Sequence, residues 1–146
     1  MNCELQNRET ILLIDDNPLI TKLNRETLQL HGYNVIEGAS ISQGRELYEQ
    51  FEPDVIMMET VLPDGNGLHF CRELRSRSTI PIMIVSKLNS NEDICAGHNA
   101  GADVYMPKPY MPDMLVVRME VLLRRIRWYS ESPGLLSGGK QYESQI

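Results

Sequence analysis

The chain predicts a doubly wound, five-stranded parallel α/β sheet with helices on both faces. Three observations lead there: five short apolar runs of strand length, helical spacings between them, and a gathering of acids, a hydroxyl and a lysine at the ends of those runs. The first run, "ILLI" at 11–14, precedes a segment with Ile20, Leu23, Leu28 and Leu30 at helical spacing, ahead of Gly32, which suits a helix C-terminus. The second, "YNVI" at 33–36, leads to a helix carrying Ile41, Leu47, Tyr48 and Phe51. The third, "VIMM" at 55–58, is followed by a helix with Leu68, Cys71 and Leu74. The fourth, "PIMIV" at 81–85, leads to a segment from about Asn91 to Ala100 that is poor in large apolar residues and stops at Gly101. The fifth, "VYM" at 104–106, precedes a last helix that opens at Pro112, carries Leu115, Val116, Met119, Leu122 and Leu123, and ends in "RRIRW". Continuous apolar runs read as strands buried on both faces, and their alternation with helices implies right-handed crossovers.

A chain of 146 residues is long enough for one domain with a real core and too short for two ordinary ones. We read residues 1–8 as an N-terminal extension, 9–127 as the domain, and the Ser-, Gly- and Pro-rich 128–146 as a linker or the start of a further C-terminal domain. A net charge of −6 argues against binding nucleic acid or an anionic membrane through the overall field. Cys3, Cys71 and Cys95 form no C-x-x-C pair, which favours reduced thiols over a disulfide framework or a zinc site. With no apolar stretch of membrane-spanning length and a polar start, the expected location is the cytoplasm, away from any membrane.

In open α/β sheets ligands sit beyond the carboxyl ends of the strands. The first strand ends there in Asp15 and Asp16, the third in Glu59, the fourth in Ser86 and Lys87, and the fifth in Met106, Pro107, Lys108 and Pro109. An ionised carboxylate at the end of a buried run needs a cation, a donor or water beside it. Three acids at close range suit Mg²⁺, and a lysine suits a phosphoryl group. Each piece also has a plainer reading. "DDNP" serves equally as a cap for the first helix, with Pro18 at its first position, and "LPDGNG" is a turn set by Pro63 and Gly65. Ser86 or Lys108 alone is an ordinary strand-end hydroxyl or surface charge; what favours function is their recurrence together and in order.

The stretches "ILLIDDNP", "PDVIMMETVLPDGNG", "PIMIVSK" and "AGADVYMPKPY" together resemble the receiver domain of two-component response regulators, across nearly all of 9–127. The resemblance implies the flavodoxin-like receiver fold, with Asp15 and Asp16, joined by Glu59, holding Mg²⁺. It further implies Ser86 as switch hydroxyl, Tyr105 as switch aromatic, Lys108 as phosphoryl partner and a cis bond before Pro109. One position departs from the pattern: Glu59 stands where the family carries its phospho-accepting aspartate. The extra methylene moves the carboxylate by roughly 1.5 Å, and in-line transfer tolerates little misplacement. The expectation is therefore an atypical, non-enzymatic receiver with weak Mg²⁺ binding and an output independent of phosphorylation, Glu59 acting as a weak, partial mimic of the phosphoryl charge.

The last helix, "MPDMLVVRMEVLLRRIR", resembles the OmpR/PhoB type, which implies a transcription regulator whose DNA-binding domain lies outside this sequence, a sensor histidine kinase as partner, and a homodimer through helix four, strand five and helix five. On that surface Ile94, Val104 and Glu120 stand at positions where that type usually has charges, while Arg118 matches. Apolar Val61 and Leu88 flank the pocket, and Lys87 replaces a small residue beside it. Two alternatives remain: a conventional receiver phosphorylated on Glu59, and a flavodoxin-like small-molecule binder, ranked last because no Gly-rich loop follows the first strand.

Overall fold

The computed structural model of the chain describes residues 9–131. Strands β1 (Thr10–Ile14), β2 (Asn34–Gly38), β3 (Val55–Met58), β4 (Ile82–Ser86) and β5 (Val104–Pro107) form one parallel sheet in the order β2-β1-β3-β4-β5. They alternate with helices α1 (Pro18–Leu30), α2 (Ile41–Phe51), α3 (Gly67–Arg75), α4 (Asn91–Ala100) and α5 (Pro112–Glu131). This is the fold class that the alternating runs predict. The strand order reverses between β1 and β3, so the chains leaving those two strands part to opposite sides and open a crevice at their carboxyl ends.

Side chains alternate across the sheet with the period of two that strands impose. Leu12, Ile14, Ile56, Met58, Ile82 and Ile84 face one side and pack on Ile41 of α2, Phe70 and Leu74 of α3 and Ala100 of α4. Ile11, Leu13, Val55, Met57, Met83 and Val85 face the other and meet Leu28 of α1 and Leu115, Met119 and Leu122 of α5. Ile56 and Leu115 are fully buried, one on each face, and truncating either to alanine costs about 2–5 kcal/mol.

Two readings of the sequence need correction. Leu23 and Leu30, counted above among the helical apolar positions, are 48% and 81% exposed, and α1 turns Thr21, Asn24 and Leu28 inward instead. Polar residues are tolerated there because they are bonded: Thr21 donates to the Asp15 carbonyl at 3.3 Å, and Asn24 accepts the Tyr110 hydroxyl at 2.6 Å. Periodicity cannot distinguish a face of leucines from a face of satisfied polar groups. At the other end, α5 continues through Glu131, so residues 128–131, expected to lie beyond the last helix, are helical. Arg127 holds this last stretch by pairing with Glu9 ahead of β1. The remaining residues of both terminal segments lie outside the described ones.

Helix ends are fixed by side chains. Asn17 caps α1, accepting from the Leu19 and Ile20 amides with Pro18 at the first position, as the sequence allows. The "LPDGNG" turn becomes a two-stranded hairpin, Val61–Leu62 with Gly65–Asn66, whose Asp64 caps α2 through the Ile41 and Ser42 amides. At the end of α4, Gly101 adopts φ +115 and lets the Arg75 guanidinium cross it. Arg75 bonds the Gly101 and Ile80 carbonyls and the Asp103 carboxylate, which itself accepts the Ile82 amide. A Cβ at 101 would lie 2.2 Å from Arg75 Cγ.

Candidate functional site

Two strands end side by side in acids. Asp15 follows β1 and Glu59 follows β3, whose backbones stay paired, Glu59 donating its amide to the Ile14 carbonyl at 2.9 Å. Lys108 arrives from the end of β5, its amide bonded to the Ser86 carbonyl at 2.7 Å, and the Lys108–Pro109 bond is cis. Its ammonium then inserts between the two acids, 2.8 Å from Asp15 Oδ2 and 2.9 Å from Glu59 Oε1.

Glu59 is only 4% exposed, and both its oxygens are satisfied. Oε1 takes the lysine, while Oε2 accepts the Thr60 amide at 2.7 Å, the Val61 amide at 3.2 Å and the Thr60 hydroxyl at 3.2 Å. Burial by itself raises this carboxyl, but the Ser86 hydroxyl, Lys108 and the Val61 N–H together outweigh burial and hold it below its ordinary value. Burial likewise lowers the Lys108 ammonium, and its bonds to Asp15 and Glu59 more than reverse that. Both groups are therefore charged at neutral pH.

From Glu59 a chain of hydroxyls runs into the fold. Thr60 Oγ1 lies 2.7 Å from the fully buried Ser86 Oγ, which accepts the Leu88 amide at 3.1 Å. Leu88 in turn gives its carbonyl to the Tyr105 hydroxyl at 2.5 Å. Tyr105 is buried beneath α4, and Gly97 makes the room: a Cβ there would stand 2.5 Å from the tyrosine ring. Val61, Lys87 and Leu88 are exposed around the rim.

The structure thus brings Asp15, Glu59, Ser86, Tyr105 and Lys108 into one connected set. Asp16 stands apart, exposed and outside this network. Among the described residues no group of three His, Cys, Asp or Glu side chains is arranged to hold a metal ion. In this arrangement the Lys108 ammonium occupies the place between Asp15 and Glu59, and Asp16 is exposed beside them. A cation already neutralises the pair, so a second one meets repulsion. Ile94 and Val104 are half-buried and pack toward opposite core clusters, whereas Arg118 is exposed on α5.

Sequence reasoning missed three participants. Thr60 carries the link from Glu59 to Ser86, and its signal was available, since a hydroxyl directly after a buried acid must find a partner. Asn24 and Tyr110 tie α1 to the loop that presents Lys108, and no local pattern marks a pairing across 86 positions.

Residues 11–120 match the model of the response regulator receiver domain. The chain belongs to that family. This receiver is 30% identical over 95% of its length to a probable transcriptional regulator, ycf27, of Guillardia theta, covering 55% of that protein. It is 35% identical over 79% of its length to the DNA-binding dual master transcriptional regulator RpaA of Synechocystis, covering 49% of it. The receiver thus spans about half the length of the curated relatives it matches. Among solved structures, a two-component response regulator from Clostridium difficile superposes with a TM-score of 0.79 at 25% identity, covering 82% of this chain and 98% of that one. The BeF3-activated receiver domain of Klebsiella pneumoniae RstA gives 0.76 at 26% identity, over 79% of this chain and 98% of that one. Receiver domains are signalling domains that typically bind Mg²⁺ at the phosphorylation site, and response regulators work with sensor histidine kinases. No described helix of this receiver is long and apolar enough to cross a membrane.

Proposed function

We propose that this chain is an atypical receiver of the OmpR/PhoB kind, with Glu59 in the place of the phospho-acceptor and an output that does not depend on phosphorylation. One observation carries the reading: the Glu59 carboxylate already engages the Lys108 ammonium, the Thr60 and Val61 amides and the Thr60 hydroxyl. Those are the donors an incoming phosphoryl group needs, and a carboxylate with two satisfied oxygens is a poor nucleophile toward phosphorus. The negative charge a phosphoryl group would bring is supplied in part by the side chain itself, and the hydroxyl chain through Ser86 to Leu88 and Tyr105 carries its position into the base of α4.

The rest of the proposal concerns the setting. The chain acts in the cytoplasm in transcription regulation, through a DNA-binding output domain outside this sequence, as the names of its relatives support. Its partners are a sensor histidine kinase and a second copy, the latter through the surface of α4, β5 and α5 that carries Ile94, Val104 and Arg118. Mg²⁺ binds weakly, in competition with Lys108.

The deciding experiment is treatment with acetyl phosphate and Mg²⁺ followed by intact mass. An unmodified chain supports the reading. A gain of one phosphoryl group on Glu59 overturns it in favour of a conventional receiver. Small-molecule binding has less support: the cavity beneath Glu59, lined by Asp15, Thr21, Asn24 and Val85 among others, is about 10 Å³, against several hundred for an ordinary ligand pocket.

A further inference from the structure

The small cavity beneath Glu59 extends to Asp15 and to the inner face of α1. Leu13, Met57 and Val85 line it from the sheet, and α1 closes it with Thr21 and Asn24, two short polar side chains that leave the gap between helix and sheet unfilled. Its volume is about 10 Å³, close to the roughly 10–15 Å³ that one water molecule needs. Every residue of the lining is buried except Asp15, which is partly exposed and marks the side nearest to solvent.

The polar groups around this cavity are incompletely bonded. Asn24 is 4% exposed, and its side chain has a single partner among the described residues, the Tyr110 hydroxyl, which donates to Oδ1 at 2.6 Å. Its Nδ2 thus carries two N–H donors with no acceptor among the described residues, in an interior where buried donors are almost always paired. Thr21 spends its one hydrogen on the Asp15 carbonyl at 3.3 Å and keeps lone pairs that can accept. The Asp15 carboxylate takes one bond on each oxygen, from the Asn17 amide and from Lys108, and each oxygen has capacity for another. One water molecule completes all three groups, accepting from Asn24 and donating to Thr21 and Asp15, and three bonds are the usual complement of a buried water. A metal cation would instead meet the Asn24 N–H donors and the Lys108 charge, and an apolar group would leave the amide unpaired.

We propose that this cavity is the site of one ordered water molecule, which joins Asn24 and Thr21 of α1 to the Asp15 carboxylate. The site ties α1 to the Asp15–Lys108–Glu59 bridge and, through the Tyr110 hydroxyl, to the loop that presents Lys108. Asn24 is then a positioning residue, holding Tyr110 with its oxygen and the water on Asp15 with its nitrogen. This goes beyond the functional reading and does not rest on it, since the site is the same whether or not Glu59 accepts a phosphoryl group.

The test is a high-resolution crystal structure of the full chain, followed by NMR of two variants. The parent should show one water oxygen at about 2.7–3.2 Å from Asn24 Nδ2 and from Thr21 Oγ1 or an Asp15 carboxylate oxygen. An empty cavity overturns the proposal, and so does a metal ion in it. Asn24→Leu fills the space with an apolar side chain and should expel the water, while Tyr110→Phe removes only the hydroxyl and should keep it. In solution the Asp15 side-chain carboxyl carbon should therefore shift clearly farther in Asn24→Leu than in Tyr110→Phe, with far-UV circular dichroism confirming that both fold. Equal shifts would assign the effect to the lost tyrosine bond and overturn the role given to the water. The parent crystal structure and Tyr110→Phe still decide the matter if Asn24→Leu fails to fold, since loss of the water in Tyr110→Phe would show that Asn24 and Thr21 do not hold it.

Discussion

The ammonium of Lys108 lies 2.9 Å from Oε1 of Glu59, and the same nitrogen lies 2.8 Å from Asp15. This one cation therefore decides how much of the pocket is open to any other positive charge, and to phosphate.

Shortening the acid should free that cation. In Glu59→Asp the carboxylate withdraws by about one carbon–carbon bond, roughly 1.5 Å, and the donors now bound to it become available to an incoming group. The variant should gain the mass of one phosphoryl group with acetyl phosphate and Mg²⁺, while the parent stays unmodified. Adding Lys108→Ala should sharply reduce the gain. An inert Glu59→Asp protein would show that another change, such as Lys87 at the rim, has already disabled the pocket.

Acid should destabilise the fold through Glu59. Its carboxyl sits below the ordinary 4.5 because the Ser86 hydroxyl, Lys108 and the Val61 N–H outweigh the upward push of burial. A group depressed in the folded state stabilises above its unfolded value, and that contribution drains away as pH falls through the folded one. Melting temperature should thus drop as pH falls below about 4.5. Glu59→Gln should flatten that part of the curve, and equal slopes for the two proteins would assign the acid sensitivity elsewhere.

Removing the cation alone should be costly. Lys108→Ala leaves Asp15 and the almost fully buried Glu59 facing each other without compensation, a situation that costs about 3–5 kcal/mol. Chemical denaturation should show most of that loss at neutral pH, with partial recovery when Glu59→Gln is added.

Gly97→Ala should reach the same network from behind. The new Cβ would meet the Tyr105 ring at 2.5 Å, an overpacking worth about 1–3 kcal/mol. If the ring moves out, its bond to the Leu88 carbonyl breaks. NMR shifts at Leu88 and Ser86 should change, and unchanged spectra would mean that α4 gives way instead.

Titration with Mg²⁺ should produce shifts only at millimolar concentration in the parent and at clearly lower concentration in Glu59→Asp. Micromolar affinity in the parent would contradict a pocket held closed by Lys108.

The sheet was legible because four of its five runs are apolar at every position, a pattern that two-sided burial explains, while the second carries Asn34 and forms the more exposed edge strand β2. The rim acids and Lys108 were legible because each falls one or two places after such a run. Asp16 was not separable from Asp15, since adjacent residues at a strand end share a sequence signal and differ only in the direction of their side chains. The inner face of α1 was misread for a different reason. Asn24 is buried through a bond to Tyr110 that no local window contains, Thr21 through one to the Asp15 carbonyl six positions back, and the leucines opposite them were the louder pattern.

Asp15 and Lys108 are 93 positions apart in the chain, and Glu59 and Lys108 are 49. During folding, the first three strands can pair before the last one exists as structure, and at that stage two carboxylates stand at neighbouring strand ends with only water between them. Their repulsion eases when β5 docks and delivers its lysine. The pocket is complete only once the ends of β1, β3 and β5 have all come together. A probe placed on Lys108 would time the arrival of the last strand and not the collapse of the core.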